Sequence, residues 1–398
     1  MDAGRTRPHT CVVEIGPVVA QLRYGLEDGV AAPTPRWPGL DGLRAIAVIA
    51  VLGTHFGVMG DNASIGVDLF FVISGFLITS LLLKERDRRS AVSLRDFWAR
   101  RALRLFPALG CAIVLALVLS LATTPSLRHA TVAGLPWVLL YVGNWAKAFG
   151  SDQTLGLLQH TWSLAVEEQF YLLWPLVFVV WICRVRHRRR AAVALAVLAG
   201  LDCLYLIWAA NAWGPQRAYF GTDTHCMGLL AGSALALFVS QRQVEGAPRE
   251  RVERVIRAVG VVALMFFCAL TFTSATSNTE GAVVLCLGTA AAVLVVARLV
   301  MVPSGRMVSL LSGRAIQWTG QRSYGIYLYH FGLAVAFVET RHWHGLDRYL
   351  VVAACVCATF ALAAASYRWV EMPFLRFKAR FTVPSPETDL AVPAASTV

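Results

Sequence analysis

Long apolar runs with few charges follow one another along almost the whole sequence, and they restrict the chain to folds whose surface can lie in lipid. Of the 398 residues, 57% are hydrophobic and only 15% are charged, with a mean hydropathy of +0.59. This apolar fraction exceeds that of a typical water-soluble domain. A helix needs about 20 apolar residues to cross a bilayer. Runs near that length lie at residues 43–58, 66–83, 105–123, 161–183, 191–210, 219–239, 258–274, 282–301, 323–339 and 349–369. We therefore predict an all-α, polytopic transmembrane helix bundle of about ten spans.

The basic residues indicate how such a bundle is oriented. The formal net charge is +12, which in a soluble protein would suggest nucleic acid. Here Lys and Arg concentrate in residues 84–104, 184–190 and 240–257, whereas 59–65 and 275–280 contain none. Short cytoplasmic loops accumulate positive charge. We therefore predict that the three basic segments and both termini are cytoplasmic, that the chain lies in the cytoplasmic membrane, and that nucleic acid is not a partner.

The apolar stretch at residues 131–145 conflicts with this alternation if it crosses the bilayer, because it would place 184–190 outside. Its Pro136, Gly143 and Asn144 suit a broken helix buried in protein. We predict a re-entrant or interfacial segment.

The chain is expected to have three regions. Residues 1–36 would form a flexible cytoplasmic extension without a convincing signal-cleavage site, 37–376 the transmembrane domain, and 377–398 a disordered cytoplasmic tail. The nine cysteines show no paired metal-ligand spacing. We expect them to pack as small apolar core residues, and we expect no metal site.

Two ionisable residues share the first run. An ionisable group at membrane depth costs about 2.5–3.5 kcal/mol on insertion scales, which makes each one a functional hypothesis. Arg44 and His55 are eleven positions apart, about three turns and a rise of roughly 16 Å, so they share one helix face. A guanidinium at the cytoplasmic edge suits phosphate, and a deeper imidazole suits proton transfer or nucleophilic attack. Alternatively, Arg44 extends to the headgroups and His55 is a hydrogen-bonded packing residue.

A second group of polar residues lies in and around the other runs. Glu167, one turn after Ser163, could orient or charge-balance a histidine, transfer a proton, or only form an interhelical hydrogen bond. Arg100, Arg101 and Arg104 either anchor the chain at the membrane surface or bind the anionic end of a cofactor. The further residues predicted near the substrate, or behind the catalytic pair His55 and Glu167, are Asp41, Asp68, Ser74, His160, Trp162, Ser163, Tyr171, Asp223, Tyr329 and His330.

Several motifs, taken together and in order, resemble acyltransferase family 3 of the membrane O-acyltransferases. They are LDGLR at residues 40–44, the Arg44 and His55 pair, GVDLFFVISGFLIT at 66–79, residues 97–107, HTWSLAVEEQFY at 160–171 with Pro175, SYGIYLYH at 323–330, and EMP at 371–373. The resemblance implies a ten-span domain that uses acyl-CoA to acylate sugars of surface polysaccharide, peptidoglycan or lipopolysaccharide, or macrolide-type antibiotics. By resemblance, His55 matches the essential histidine and Arg44 its motif partner.

The resemblance predicts an O-acyltransferase with no permanently bound cofactor. Its partners would be the bilayer, acyl-CoA (in particular acetyl-CoA) as co-substrate, and a glycan, lipid-linked sugar or small-molecule acceptor. Larger family members carry an extracytoplasmic hydrolase-like domain, and this sequence ends soon after the last run; a separate extracytoplasmic partner is therefore also considered. The alternative is a transporter or flippase with a His/Asp/Glu proton relay. Transporters commonly have paired halves, and no internal repeat is visible.

Overall fold

Helices make up almost all of the described chain, as the apolar runs predict. The computed structural model describes residues 37–150, 154–185, 187–245, 250–341 and 343–377, and within these ranges it contains no β-strand. They belong to one unit, Trp37–Phe381. The predictions for residues 1–36 and for the tail from 378 onward lie outside the described residues.

Within the described ranges, seventeen α-helices follow in chain order. They are α1 Pro38–His55, α2 Ile65–Arg89, α3 Leu94–Ser120, α4 Pro125–Ala133, α5 Leu135–Leu139, α6 Gly143–Phe149, α7 Trp162–Val180, α8 Arg188–Ala212, α9 Pro215–Phe220, α10 Met227–Glu245, α11 Glu250–Leu270, α12 Asn278–Met301, α13 Arg306–Leu311, α14 Arg314–Gln321, α15 Ser323–Ala334, α16 Gly345–Ser366 and α17 Met372–Phe377. Short 3₁₀ helices occupy Asp61–Ser64, Gly156–Thr161 and Ile182–Arg184, and π-helical turns occupy Val335–Glu339 and Tyr367–Glu371.

Six helical stretches of the described chain are long and apolar enough to cross a membrane. They are Asp61–Arg89, Leu94–Ser120, Gly156–Arg184, Arg188–Ala212, Asn278–Met301 and Gly345–Phe377. The helices α1, α10, α11 and α15 do not belong to this set. An all-α membrane fold is therefore confirmed, whereas the count of ten spans is not.

The first basic segment is mostly helix, although its charges suggested a loop. The helix α2 continues to Arg89 and α3 begins at Leu94, so only residues 90–93 connect them. Arginine is a good helix former and is favourable near a helix C-terminus. Ser90 ends α2 with a left-handed φ of 58°, and the Ser93 side chain accepts a hydrogen bond from the Asp96 amide as the N-cap of α3.

The predicted span at 219–239 begins later than expected. The short helix α9 ends at Phe220 and α10 starts at Met227. Asp223 and His225 therefore lie in the connection before α10 rather than in its first turn. The Thr224 hydroxyl donates to the carbonyl oxygens of Ala218 and Gly221, which satisfies this buried turn without a helix.

Residues 131–145 are divided among α4, α5 and α6 instead of forming one helix. Pro136 lies in the first turn of α5, and Tyr141 has a left-handed φ of 54° between α5 and α6. The Gln169 amide of α7 donates to the carbonyl oxygen of Tyr141 and to Asn144. The Gln169 side chain thus satisfies one backbone carbonyl at the break between α5 and α6.

Glycines bring α2 and α10 into backbone contact. A Cβ atom placed on Gly75 would lie 2.1 Å from the carbonyl oxygen of Leu229, and one on Gly232 would lie 2.1 Å from that of Val72. Small residues of this kind allow close helix packing in membranes. The contact fixes the helix that carries Asp68 and Ser74.

The cysteines only partly follow the prediction that they belong to the core. Among the described ones, Cys355 is buried, but Cys111 and Cys357 are exposed. Both lie on long apolar helices, α3 and α16. In a membrane fold a small apolar side chain can face lipid at no cost, and this explains the difference.

Candidate active site

A cavity of about 320 Å³ lies where α1 ends at His55. The polar side chains on its wall, other than the tyrosines and Trp162, are those of Thr54, His55, Ser64, Lys147, Gln159, His160 and Glu339. The rings on its wall are those of Trp162, Tyr219, Phe220, Tyr327 and Phe331. A largely aromatic pocket with a few polar groups is typical of a small-molecule site.

The histidine at the end of α1 is hydrogen-bonded to a second histidine. The Nδ1 atom of His55 lies 2.9 Å from Nε2 of His330. The Nδ1 atom of His330 lies 2.6 Å from the carbonyl oxygen of Tyr327. Because a carbonyl oxygen can only accept, Nδ1 of His330 donates this hydrogen bond, and in a neutral ring Nε2 of His330 is then the acceptor. Consequently Nδ1 of His55 carries its proton, and Nε2 of His55 keeps a lone pair.

The helix α15 places His330 deep in the bundle. Every side chain from Ile326 to Ala334 is buried, and His330 has no exposed surface. The sequence analysis predicted His330 near the substrate but did not pair it with His55. No spacing rule could pair them, because the two residues lie on helices that are far apart in the chain.

His160 forms the next part of the wall. The Tyr327 hydroxyl donates to the His160 carbonyl oxygen at 2.6 Å, and Ser163 binds that hydroxyl at 2.6 Å. The His160 ring stacks on Phe331 with centroids 5.1 Å apart. Its side chain is 3% exposed, and within the part of the chain that the structure describes neither ring nitrogen makes a hydrogen bond of good geometry.

Lys147 is a polar wall residue that the sequence analysis did not select. It lies on α6, is 6% exposed, and donates from Nζ to Oε1 of Gln159 at 2.8 Å. Its ammonium group also lies 4.5 Å from the centre of the Phe220 ring. The available signal was a lysine two residues after the apolar stretch 131–145, a position where a lysine that extends to the membrane surface needs no special role.

Glu167 belongs to a second cluster, further along α7. Ser74 donates to its Oε1 atom at 2.6 Å, and the Tyr171 hydroxyl donates to Ser74 at 2.9 Å. The positive charges of Arg44, Arg101 and Arg104 act on this carboxylate. The structure thus surrounds Glu167 with hydroxyls and arginines. The side chain that orients His55 is that of His330 and not that of Glu167.

The predicted arginines separate into two groups. Arg44 interacts electrostatically with Arg104, Asp41, Tyr171 and Glu167. The Arg101 guanidinium lies 5.0 Å from the centre of the Tyr171 ring. Arg100 forms an ion pair with Glu85 at 3.0 Å, across the link between α2 and α3.

Arg44, Arg101 and Arg104, which surround Glu167, are called the arginine cluster below. A further buried carboxylate, which the sequence analysis did not select, interacts with this cluster. Glu371, in the π-helical turn after α16, is 6% exposed and accepts a hydrogen bond from Ser366 at 3.4 Å. The charges of Arg104, Arg322 and Arg44 act on it. The motif at 371–373 was a signal for this residue, although its position beside Arg44 depends on how the last helix packs.

Asp68 lies behind the cavity wall. It forms a fully buried pair with His225, with Oδ1 and Nε2 2.9 Å apart. The other nitrogen of His225 lies 2.6 Å from the Tyr219 carbonyl oxygen, and its ring stacks on Trp162 at 5.6 Å. Asp68 therefore supports two aromatic wall residues from outside the cavity.

Asp223 and Tyr329 are two of the predicted site residues that do not line the cavity. Asp223 forms two hydrogen bonds with Arg217, at 3.0 and 2.8 Å. Tyr329 is buried in the hydrophobic core on α15. Neither lines the cavity.

The helices α1 and α7 connect the histidine cavity to the arginine cluster. His55 and Arg44 share the unbroken helix α1 and are separated by a rise of roughly 16 Å. Ser163 at the cavity, Glu167 and Tyr171 share one face of α7. One end carries a basic imidazole nitrogen and the other carries clustered positive charge. No group of side chains in the described ranges has the composition of a metal site.

Comparison with known proteins gives one family. A family model described as an acyltransferase domain matches residues 37–368. Peptidoglycan O-acetyltransferase OatA of Listeria monocytogenes is 32% identical over 367 residues, which cover 84% of this chain and 55% of that protein. The putative peptidoglycan O-acetyltransferase YrhL of Bacillus subtilis is 34% identical over 357 residues, covering 84% and 54%. A putative O-acetyltransferase of Staphylococcus aureus, SACOL0978, is 33% identical over 356 residues, covering 85% and 57%. The chain spans about half the length of these curated relatives, and no solved structure matches it.

Proposed function

Because this chain belongs to the acyltransferase domain family, we propose that it is a membrane-embedded O-acetyltransferase, which transfers an acetyl group from acetyl-CoA to a hydroxyl of a cell-envelope glycan. Two of the relatives described above are named for peptidoglycan O-acetylation, which supports peptidoglycan or a lipid-linked precursor of it as the acceptor. The observation that carries the proposal is the Nε2 lone pair of His55 at an aromatic cavity.

The chemistry uses Nε2 of His55 in either of two ways. It removes the proton from the acceptor hydroxyl, or it attacks the thioester carbon and forms a transient acetyl-imidazole. Both routes need the tautomer with the proton on Nδ1. The hydrogen bond to His330 selects this tautomer and compensates the positive charge that develops on the His55 ring.

The arginine cluster is the proposed site for the phosphates of acetyl-CoA. Guanidinium groups bind phosphate through paired donors, and Arg44, Arg101 and Arg104 lie around Glu167. The thioester would then extend along α1 toward His55, over the rise of roughly 16 Å.

The membrane arrangement is part of the proposal. Ten helices (α1, α2, α3, α7, α8, α10, α11, α12, α15 and α16) would cross the cytoplasmic membrane, with the basic end of α2 and both termini in the cytoplasm. The arginine cluster is then near the cytoplasmic face and the His55 cavity toward the outer face.

The test measures donor binding and acetyl transfer separately, with purified full-length protein, radiolabelled acetyl-CoA and soluble peptidoglycan fragments. His55→Ala should reduce turnover by at least about 10²-fold, the usual contribution of a general base, while acetyl-CoA binding remains. Arg44→Ala should chiefly weaken acetyl-CoA binding, and Arg44→Lys should restore little of it, because lysine lacks the planar pair of donors.

His129→Ala serves as the matched control, because His129 is exposed on α4 and should have no effect. Near-normal turnover of a folded His55→Ala protein would contradict the mechanism. Absence of transfer by the wild-type protein would contradict the function itself.

A further inference from the structure

The wall of the His55 cavity carries two polar side chains, Lys147 and His160, that the chemistry described so far does not use. They come from different elements, α6 and the 3₁₀ helix Gly156–Thr161. Gln159 connects them, because it accepts the hydrogen bond from Lys147 and directly precedes His160. The two side chains are therefore held at one part of the wall.

The two ring nitrogens of His160 are buried and are open to a hydrogen-bonding ligand. Its side chain is 3% exposed, and among the described residues neither ring nitrogen has a partner in good hydrogen-bond geometry. Buried polar groups are nearly always hydrogen-bonded, so an orphan in a cavity indicates a ligand that completes it. A neutral imidazole offers one N–H donor and one acceptor. A ligand with an acceptor oxygen, such as an acyl carbonyl, can satisfy the donor.

Lys147 brings a positive charge to the same place. Its contacts with Gln159 and the Phe220 ring fix the ammonium group, and its charge acts on both His55 and His160. Aromatic rings line the wall beside it, and in such low-polarity surroundings the field of a fixed charge is stronger than it would be at a surface.

His55 and His160 lie against the same two rings. The ring centroids of His55 and His160 are 5.0 and 5.5 Å from that of His330, and 5.0 and 5.1 Å from that of Phe331. An acyl group whose carbonyl carbon is attacked by Nε2 of His55 therefore remains close to His160.

We propose that Lys147 and His160 bind the carbonyl oxygen of the acetyl group and stabilise the negative charge it acquires during transfer. This inference rests on the acetyl transfer proposed above. Preorganised donors aimed at a developing oxyanion are usually the largest single contribution to acyl-transfer catalysis.

The step balances without any further reactant. The acceptor oxygen forms a bond to the thioester carbon, its proton moves to Nε2 of His55, and the carbonyl π electrons move to the oxygen held by Lys147 and His160. When the C=O bond re-forms, the C–S bond breaks, and the CoA sulfur leaves with the electron pair and takes the proton from His55. If His55 itself attacks first, the same oxygen carries the charge in both half-reactions.

The competing explanation is that Lys147 binds an anionic group of the acceptor. Glu339 also lines the cavity, so the charge of the wall alone does not identify an anionic substrate. The two explanations differ for transfer to water, because hydrolysis of acetyl-CoA forms the same oxyanion without any acceptor.

The experiment measures kcat and KM for Lys147→Met and His160→Leu, in acetyl-CoA hydrolysis and in transfer to a soluble acceptor. Each variant should lower kcat by about 10²–10³-fold in both reactions, the effect of removing one oxyanion donor, with the KM for acetyl-CoA and the melting temperature unchanged. Lys147→Arg and His160→Asn keep a donor and should recover part of kcat. Lys84→Met and His129→Leu, far from the cavity lining, are the matched controls and should behave as wild type.

A double variant, Lys147→Met with His160→Leu, provides a further readout. Because both residues act on one oxygen, its loss in kcat should be smaller than the product of the two single losses. Unchanged kcat in the folded single variants would overturn the inference. So would an effect confined to the KM of the acceptor, which would show that Lys147 binds the acceptor. In either case an active wild-type protein would leave the proposed function intact.

Discussion

The imidazole of His55 differs from a histidine buried for packing because it lies at a cavity and its Nδ1–H donates to a second histidine. The bond from Nδ1 to His330 fixes the ring, and Nε2 keeps its lone pair at the cavity. The sequence allowed a carboxylate partner for a histidine, and the structure provides a second imidazole. Unlike a carboxylate, a neutral imidazole adds no buried charge of its own, which lowers the cost of burying the pair.

His330 is therefore predicted to act as a positioning residue. His330→Phe removes the acceptor for Nδ1–H of His55, so the reactive tautomer is no longer favoured, and kcat should fall about 10- to 100-fold with little change in the KM for acetyl-CoA. His330→Gln offers an acceptor oxygen and should restore part of the rate. Steady-state kinetics of the two variants, with thermal unfolding as a check on folding, measures this. A fall in melting temperature with an unchanged kcat would mean that His330 is only structural.

Sequence reasoning found Arg44, His55 and His160 because an ionisable group in an apolar run is conspicuous. Lys147 and Glu371 were not selected, because their significance depends on which helices pack together. The pairing of His55 with His330, between α1 and α15, is likewise a product of tertiary structure.

At the scale of elements, α7 connects the two ends of the site. Its buried face carries Ser163, Glu167 and Tyr171, while Leu172, Leu173, Val177 and Val180 are exposed on its apolar face. Helical periodicity predicted the shared face of Ser163, Glu167 and Tyr171 from sequence alone.

The two adjacent glutamates of α7 should therefore differ. Glu167→Gln loses the charge that balances Arg44, Arg101 and Arg104 and should reduce turnover at least about tenfold, the scale of one charge-assisted hydrogen bond. Glu168→Gln is the matched control, because Glu168 makes no side-chain hydrogen bond within the described part of the chain, and it should change turnover less than about threefold. Parallel turnover assays of the two variants at equal expression measure this difference. Equal and small losses would assign both residues a structural role.

Most long helices could be placed from the apolar runs, but their ends could not. The ends of α2 and α3 extend through the arginine-rich segment, because arginine stabilises helix as readily as it marks a loop. The late start of α10 depends on the Thr224 turn, for which composition gives no signal.

For the molecule as a whole, the charge asymmetry predicts which ends of the helices face the cytoplasm. In a variant with Cys111 and Cys357 replaced by serine, a membrane-impermeant maleimide added to intact cells should label Val58→Cys and leave Arg89→Cys and Arg189→Cys unlabelled until the cells are opened. All three positions are exposed. Arg89 and Arg189 lie in basic segments, and Val58 lies in the uncharged connection after α1. Labelling of Arg189→Cys from outside would mean that α4–α6 crosses the bilayer.

Composition and periodicity were sufficient for the fold class, because lipid imposes one kind of surface on every outer helix. They were insufficient for the cavity. Its wall comes from α1, α2, α6, α7, α9, α15, the 3₁₀ helices Asp61–Ser64 and Gly156–Thr161, and the π-helical turn Val335–Glu339. Distances between residues on separate helices are not encoded in any local pattern.

The close contact of α2 with α10 determines which part of the bundle can open. Gly75 and Gly232 leave no side-chain layer between the two backbones, so separating these helices would expose bare peptide groups to lipid. In contrast, α4, α5 and α6 are short, and side-chain hydrogen bonds of Gln169, Asn144 and Thr131 join them to the rest of the bundle. A bulky acceptor would therefore have to reach His55 past α4 and α5, because α2 and α10 stay closed and α6 must keep Lys147 in the cavity wall.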